Sequence, residues 1–134
     1  MMQKIKEKTV YIIKNYLKTS ILIIIILVLS LTPGNIAERE SLIKIKNFDK
    51  IVHFFMYLTL YFSIVYEIKE KYLANLIFIL LITNSFGCFM EICQETFIRN
   101  RSGEIYDLLA NFFGSLIGVI TSIIFFKIKR IKIS

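Results

Sequence analysis

Residues 108–126 read LLANFFGSLIGVITSIIFF and carry no charged side chain over 19 positions. An α-helix rises about 1.5 Å per residue, so this stretch is about 28 Å long, close to the hydrocarbon thickness of a bilayer. Three other stretches also lack formal charge, at residues 19–37, 51–66 and 72–90. The pattern predicts transmembrane helices, because lipid forces backbone groups to hydrogen-bond within their own segment.

The composition of the chain also favours a lipid environment. Hydrophobic residues make up 56% of its 134 residues, and its mean hydropathy is +0.66. A soluble domain of this size cannot bury so much apolar side chain. We therefore predict one all-α domain over residues 1–134, a membrane bundle of four transmembrane helices at about residues 10–32, 49–67, 72–95 and 105–127.

The basic residues predict the orientation of this bundle. Four crossings that start inside would place 11 of the 17 lysines and arginines on the side of the termini and 6 on the other side. Because basic segments favour the cytoplasm, both termini are expected there. The formal charge of +7 would suggest nucleic acid in a soluble domain. Here the basic residues lie beside apolar stretches, so no nucleic-acid partner is expected.

No small-x-small cleavage site follows the first apolar stretch. A signal peptide requires such a site, so we expect an uncleaved membrane anchor. Pro33 and Gly34 are typical of a helix end, and the first helix is expected to stop there.

Polar and small residues recur every three or four positions along the second, third and fourth stretches, which puts each set on one helix face. Ionisable groups inside membrane helices are costly, so each calls for a partner or a function. In the predicted topology the charged members meet near the outer membrane surface. The Gly-x-x-x-Gly spacing on the fourth stretch favours close packing within the bundle over dimerisation. The three sets are Lys50, His53, Tyr57 and Tyr61; Asn84, Gly87, Glu91 and Gln94; and Asp107, Asn111, Gly114 and Gly118.

His53 is the single histidine of the chain and can carry a proton or bind a metal. One histidine with scattered carboxylates is weak support for zinc, so no metal or cofactor is expected. A hydrogen bond from the ring to Glu91, Asp107 or Tyr57 is the preferred interpretation.

The two membrane carboxylates admit two interpretations. Glu91 and Asp107 can act as general acid and base, or they can neutralise Lys50 and Arg101 by pairing with them. Arg101 lies in the short loop predicted to face outward near Lys50, and a guanidinium there suits recognition of phosphate or carboxylate. Asn111 is expected to hydrogen-bond between helices. No serine–histidine–acid order supports covalent catalysis.

Three spaced motifs carry these residues: Lys50-x-x-His53-Phe54-x-x-Tyr57, then Glu91-x-x-Gln94-x-x-Phe97-x-x-x-Arg101, and then Asp107-x-x-x-Asn111-x-x-Gly114. Their combination, over about residues 33–118, resembles the VanZ-like family of small multi-pass bacterial envelope proteins. The family is named for a member linked to low-level teicoplanin resistance. The resemblance implies a four-helix membrane protein in glycopeptide resistance or wall homeostasis. Two residues depart from the family pattern, Arg99 in place of a common proline and Gly103 in place of a bulkier apolar residue.

We expect an outward-facing pocket that receives the anionic headgroup of a membrane lipid or of a lipid-linked envelope precursor. Its basic residues would attract the headgroup, and its acidic and amide residues would orient them. Two alternatives remain open: an intramembrane enzyme acting on a phosphorylated polyprenyl lipid, and a structural or assembly partner of another membrane protein. The oligomeric state is not predicted. The pocket residues are Lys50, His53, Tyr57, Glu91, Gln94, Arg101, Asp107 and Asn111.

Overall fold

A computed structural model describes the backbone at residues 2–32, 48–68, 72–98 and 104–131, and the side chains at residues 16–32, 48–68, 72–98 and 104–127. These residues form four α-helices and no strand, which confirms the predicted all-α class. The first helix begins at Met2 instead of near residue 10, and the last extends to Ile131. The helices are α1 (Met2–Ser30), α2 (Phe48–Glu67), α3 (Leu73–Phe97) and α4 (Ile105–Ile131).

Three of the four helices are long and apolar enough to cross a membrane. They are α2 and α3 over their whole length and α4 over Ile105–Lys127. In α1 the apolar part among the described side chains is shorter, Tyr16–Ser30. The chain thus has the helices of a membrane protein, while a fourth crossing and the cytoplasmic position of both termini stay predictions.

The outer surface of the bundle is apolar. Large hydrophobic side chains point outward on every helix, including Val28 (62% exposed), Phe78 (61%) and Phe125 (59%). Water-soluble proteins rarely expose such extensive apolar surface, whereas acyl chains solvate it well. The outward-facing residues therefore agree with the lipid environment that the composition indicates.

The buried core is centred on α2, which packs most extensively against α4 and also contacts α1 and α3. Tyr57, Leu60 and Tyr61 on its inner face are almost completely buried. Tyr57 and Leu60 pack with Ile26 of α1, and Tyr61 packs in a second cluster with Val119 of α4. Aromatic and aliphatic side chains of α2 thus fill the space between the other helices.

Two glycines let α4 approach α2 closely. A Cβ atom on Gly114 would collide with the carbonyl oxygen of Phe54, and a Cβ atom on Gly118 would collide with the ring of Tyr61. The contact at Gly114 joins two backbones, so no side-chain rotation can relieve a collision there. The Gly-x-x-x-Gly spacing serves packing within the bundle, and it fixes the rotation of α4 relative to α2.

Hydrogen bonds at both ends of the apolar part of α1 define the relative directions of the helices. The backbone N–H of Thr19 donates to Glu67 Oε1 (3.1 Å), near the end of α2. Gln94 Nε2, near the end of α3, donates to the carbonyl oxygen of Ser30 (3.0 Å). Helix α1 therefore runs antiparallel to α2 and in the same direction as α3. The start of α2, the end of α3 and the start of α4 consequently lie at one end of the bundle.

Candidate functional site

A buried cluster of four polar side chains lies at this end of the bundle, between α2, α3 and α4. It consists of His53, Glu91, Asp107 and Asn111, each at most 5% exposed. Its members come from three helices, and only Asp107 and Asn111 are close in sequence, so the cluster exists only in the folded bundle. Ionisable groups buried in membrane helices usually mark a functional site.

His53 lies between the other three members of the buried cluster. Its Nδ1 atom is 3.1 Å from Asn111 Oδ1. An amide oxygen only accepts hydrogen bonds, so His53 Nδ1 is the donor in this contact. His53 Nδ1 is also 3.9 Å from Glu91 Oε1, and His53 Nε2 is 4.0 Å from Asp107 Oδ2. Both distances exceed hydrogen-bond length, so the carboxylates flank the ring at a short distance from it.

Lys50 lies at the more exposed edge of the buried cluster. Its ammonium is 2.6 Å from Glu104 Oε2, 2.7 Å from Asp49 Oδ2 and 3.3 Å from Asp107 Oδ1. Its side chain is 20% exposed and that of Asp107 is 6% exposed, so Asp107 connects Lys50 to the interior. Carboxylates outnumber basic groups among the described side chains of the site. Arg101, also predicted for this pocket, lies outside the described residues.

The remaining two predicted pocket residues make separate contacts. Tyr57 is fully buried one turn after His53, and its hydroxyl group has no hydrogen-bond partner among the described residues. Its Cε1 atom lies beside Gly87 of α3, 3.1 Å from the point that a Cβ atom on this glycine would occupy. Gln94 is also fully buried, but its amide joins α3 to Ser30 of α1 instead of reaching His53.

A line of polar contacts continues from the buried cluster toward the opposite end of the bundle. Ser115 Oγ donates to the carbonyl oxygen of Asn111 (3.0 Å) and accepts a hydrogen bond from Asn84 Nδ2 (2.9 Å). Ser115 is fully buried and Ser122 is 3% exposed. Neither serine was predicted from the sequence. The available signal was their spacing of four and eleven residues after Asn111, which places all three on one face of α4.

The buried cluster has the ligand types and spacing of a metal site. His53, Glu91 and Asp107 each offer one ligand atom, and these atoms lie within 4.8 Å of one another. A second group also has its ligand atoms within 4.8 Å of one another, namely Asp49, Glu104 and Asp107. Two of these carboxylates are exposed, and all three surround the ammonium of Lys50. A histidine beside two carboxylates can also transfer protons. The buried cluster therefore suits cation binding or acid–base chemistry.

Comparison with known families identifies the family to which this chain belongs. A family model described as VanZ/LLP1 matches residues 4–126. The chain belongs to the VanZ/LLP1 family. The resemblance inferred from the spaced motifs is confirmed, and the VanZ/LLP1 match contains the buried cluster and the Lys50 ion pairs. Arg99 and Gly103, the two departures from the family pattern, lie outside the described residues. No curated protein and no solved structure matches the chain.

Proposed function

We propose that this VanZ/LLP1 protein acts in the cell envelope, in glycopeptide resistance or wall homeostasis. It does so by binding the anionic headgroup of a membrane lipid or of a lipid-linked envelope precursor. The observation that carries the proposal is the position of Lys50. Its ammonium is partly exposed in the first turn of α2 and lies directly beside the buried cluster. Headgroup phosphates lie at the depth of helix ends, and the ligand's acyl or prenyl chains would contact the apolar outer surface.

The carboxylates around Lys50 are compatible with an anionic ligand. The side chains of Asp49 and Glu104 are each 47% exposed, so water and salt screen their charges. Both can turn toward solvent when a phosphate group competes for the ammonium. Asp107 is buried and stays in place, which keeps Lys50 oriented during the exchange. Arg101 would supply the second positive group, in the loop that precedes α4.

Lipid binding by the purified full-length protein tests this proposal directly. Native mass spectrometry in detergent would compare phosphatidylglycerol and a polyprenyl phosphate with zwitterionic phosphatidylcholine. We expect Lys50→Gln and Arg101→Ala each to weaken binding of the two anionic lipids by about ten-fold, the effect of one charge-assisted contact. Lys18→Gln is the matched control, because Lys18 is exposed and lies next to Thr19, which meets Glu67 at the end of the bundle opposite Lys50. Wild-type affinity of both pocket variants for both anionic lipids would refute the proposal.

The envelope role is tested in cells. A deletion strain would be challenged with teicoplanin and other cell-wall inhibitors, then complemented with wild-type protein or with single variants of His53, Glu91, Arg101 and Asp107. We expect greater sensitivity in the deletion strain, and rescue by the wild type but not by the pocket variants. Unchanged sensitivity of the deletion strain to every inhibitor would contradict an envelope role.

The flanking of His53 by two carboxylates favours a second candidate, an intramembrane enzyme acting on a phosphorylated polyprenyl lipid. A buried histidine with Glu91 and Asp107 at 3.9 and 4.0 Å could serve as an acid–base group. An enzyme would release phosphate from such a lipid, and Glu91→Gln would lower that rate about 100-fold or more while lipid binding persists. A wild-type protein that binds the lipid and releases no phosphate would exclude this candidate.

A further inference from the structure

We propose that the headgroup bound at Lys50 carries a primary ammonium group beside its phosphate, and that Asp49 and Glu104 bind this ammonium. The inference rests on the proposed headgroup function and specifies the class of lipid that the site accepts. Lys50 would contact the phosphate, and the two exposed carboxylates beside it would contact the ligand nitrogen. Positive and negative groups of the protein and the ligand would then alternate across the site.

The charges around Lys50 favour a ligand that brings a cation of its own. Asp49, Glu104 and Asp107 each have an oxygen atom at most 3.3 Å from its nitrogen, so three carboxylates share one ammonium among the described side chains. A ligand with a phosphate and no cation would add a further negative charge to this excess. A ligand ammonium reduces the excess, because opposite charges a few ångströms apart attract each other.

The three carboxylates also have the spacing that a primary ammonium requires. One oxygen atom from each lies within 4.8 Å of the other two. An –NH₃⁺ group has three N–H donors and no acceptor, so three surrounding carboxylate oxygens match it. The ammonium of Lys50 shows the fit, with contacts of 2.6, 2.7 and 3.3 Å. A choline nitrogen carries methyl groups in place of N–H and cannot make these hydrogen bonds.

A buried oxygen atom at this site accepts no hydrogen bond. Asp107 is 4% exposed, and its Oδ1 atom has no hydrogen-bond partner among the described residues, although Lys50 Nζ is 3.3 Å away. A buried carboxylate oxygen without a donor is costly, and an ionised donor satisfies it best. A ligand ammonium between the three carboxylates would supply the missing N–H. This observation supports the inference independently of the number of charges.

Binding of the ligand requires side-chain rotation and no movement of a helix. Asp49 and Glu104 are each 47% exposed, and ion pairs at such exposure contribute little to stability. A phosphate group can therefore draw the Lys50 ammonium, which lies on a flexible four-carbon side chain, away from both carboxylates. The ligand ammonium then takes the place beside them, while the buried Asp107 stays next to both nitrogen atoms.

The two exposed carboxylates lie where the headgroup layer meets the apolar surface. Asp49 is in the first turn of α2, and Glu104 directly precedes the first residue of α4. Ile51 and Ile105, which follow Lys50 and Glu104 in the sequence, are 47% and 65% exposed on the apolar outer surface. Acyl chains would contact these isoleucines, so the neighbouring charged side chains face the polar layer of the membrane.

Lipids that differ only at the headgroup nitrogen test the inference. Phosphatidylethanolamine, its N-methylated derivatives and phosphatidylcholine share the phosphate and the acyl chains but have progressively fewer N–H donors. Native mass spectrometry of the purified full-length protein in detergent would count the bound lipid. We expect binding to weaken by about ten-fold or more from phosphatidylethanolamine to phosphatidylcholine, the effect of one charge-assisted hydrogen bond. An aminoacylated phosphatidylglycerol is the second arm, because its primary ammonium belongs to an amino acid.

The double variant Asp49→Asn/Glu104→Gln separates the ammonium contact from the phosphate contact. It should weaken binding of phosphatidylethanolamine by about ten-fold, because the contacts of its ammonium lose their charge. Binding of phosphatidylglycerol, which has no amine, should stay the same or become tighter in this variant. Such opposite responses cannot come from a folding defect. Glu95→Gln is the matched control, because Glu95 is exposed near the end of α3 and is not one of the three carboxylates around Lys50.

Two results would overturn the inference: wild-type protein that binds neither amine lipid more tightly than its amine-free counterpart, or a double variant that keeps wild-type affinity for both. A preference for the aminoacylated lipid alone supports the inference and assigns the ammonium to an amino acid. The proposed function is tested separately by Lys50→Gln. Phosphatidylglycerol binding that depends on Lys50 without any preference for amines refutes the inference alone. A preference for amines in a site where Lys50→Gln binds every lipid like the wild type refutes the phosphate contact instead.

Discussion

At the scale of single residues, Asn111 links several parts of the site. Its carbonyl oxygen orients His53, its backbone carbonyl accepts from Ser115, and its amide nitrogen faces Gly87. It is 1% exposed, so lost hydrogen bonds there cannot be replaced by bulk water. The residue thus holds the ring of His53 in place whatever the site binds.

Asn111→Ala should lower the free energy of unfolding by about 1–3 kcal/mol. The substitution leaves the His53 ring N–H buried without its acceptor, and an unsatisfied buried donor costs about that much. Unfolding in mixed micelles, followed by circular dichroism, measures the change. Thr121→Ala is the control on the same helix, because its hydroxyl is exposed and bonds only to its own helix; a change below about 0.5 kcal/mol is expected there. Equal stabilities of the two variants would argue against a structural role for Asn111.

The sequence predicted part of this arrangement, and the reason lies in helix periodicity. Spacing places His53, Glu91 and Asp107 on helix faces and at similar depth, because rise and rotation per residue are fixed. Spacing cannot give the distance between helices or their relative rotation. The hydrogen bond from His53 to Asn111 depends on both, and so does the contact of Gln94 with α1. Ion pairing of Asp107 with Lys50 was one of two open interpretations, and the structure contains it.

At the scale of helices, the close approach of α4 to α2 depends on one backbone contact. Gly114 of α4 faces the carbonyl oxygen of Phe54, the residue that follows His53 on α2. The same contact therefore sets the separation of α2 and α4 and brings Asp107 within reach of Lys50. Helix bounds were less well predicted at α1, which begins at Met2. The lysines and the glutamate before residue 10 are good helix formers, so α1 continues through them. Charged residues therefore indicate where the apolar part of a helix begins, and not where the helix itself begins.

Gly114→Ala should destabilise the bundle by about 1–3 kcal/mol, the usual cost of overpacking a tight contact. The added methyl group meets backbone atoms of α2, so the helices must separate. Thermal unfolding in detergent measures the loss, and the lipid affinity of the variant should fall with it. Ile120→Ala is the control, because Ile120 is 49% exposed on the lipid side of α4. A stable Gly114→Ala variant with wild-type affinity would show that the contact does not position the site.

At the scale of the whole molecule, the buried cluster and the contact of α1 with the end of α2 occupy opposite ends of the bundle. Lys50, His53 and Asp107 lie at one end, whereas Thr19 and Glu67 meet at the other. The function proposed for an outward-facing pocket therefore depends on which end faces outward. The distribution of basic residues predicts cytoplasmic termini, which would put Lys50 and the buried cluster at the outer surface.

Cysteine labelling tests the orientation and the number of crossings together. Cys88 and Cys93 would first be replaced by alanine, and single cysteines introduced by Gln3→Cys, Ser41→Cys or Lys69→Cys. Four crossings with cytoplasmic termini predict that a membrane-impermeant maleimide labels position 41 in intact cells, and positions 3 and 69 only after permeabilisation. Labelling of 3 and 69 but not 41 would place the pocket at the cytoplasmic face. Labelling of positions 3 and 41 from the same side would mean that α1 does not cross the membrane. This is the main alternative, because the described apolar part of α1, Tyr16–Ser30, is short for a crossing.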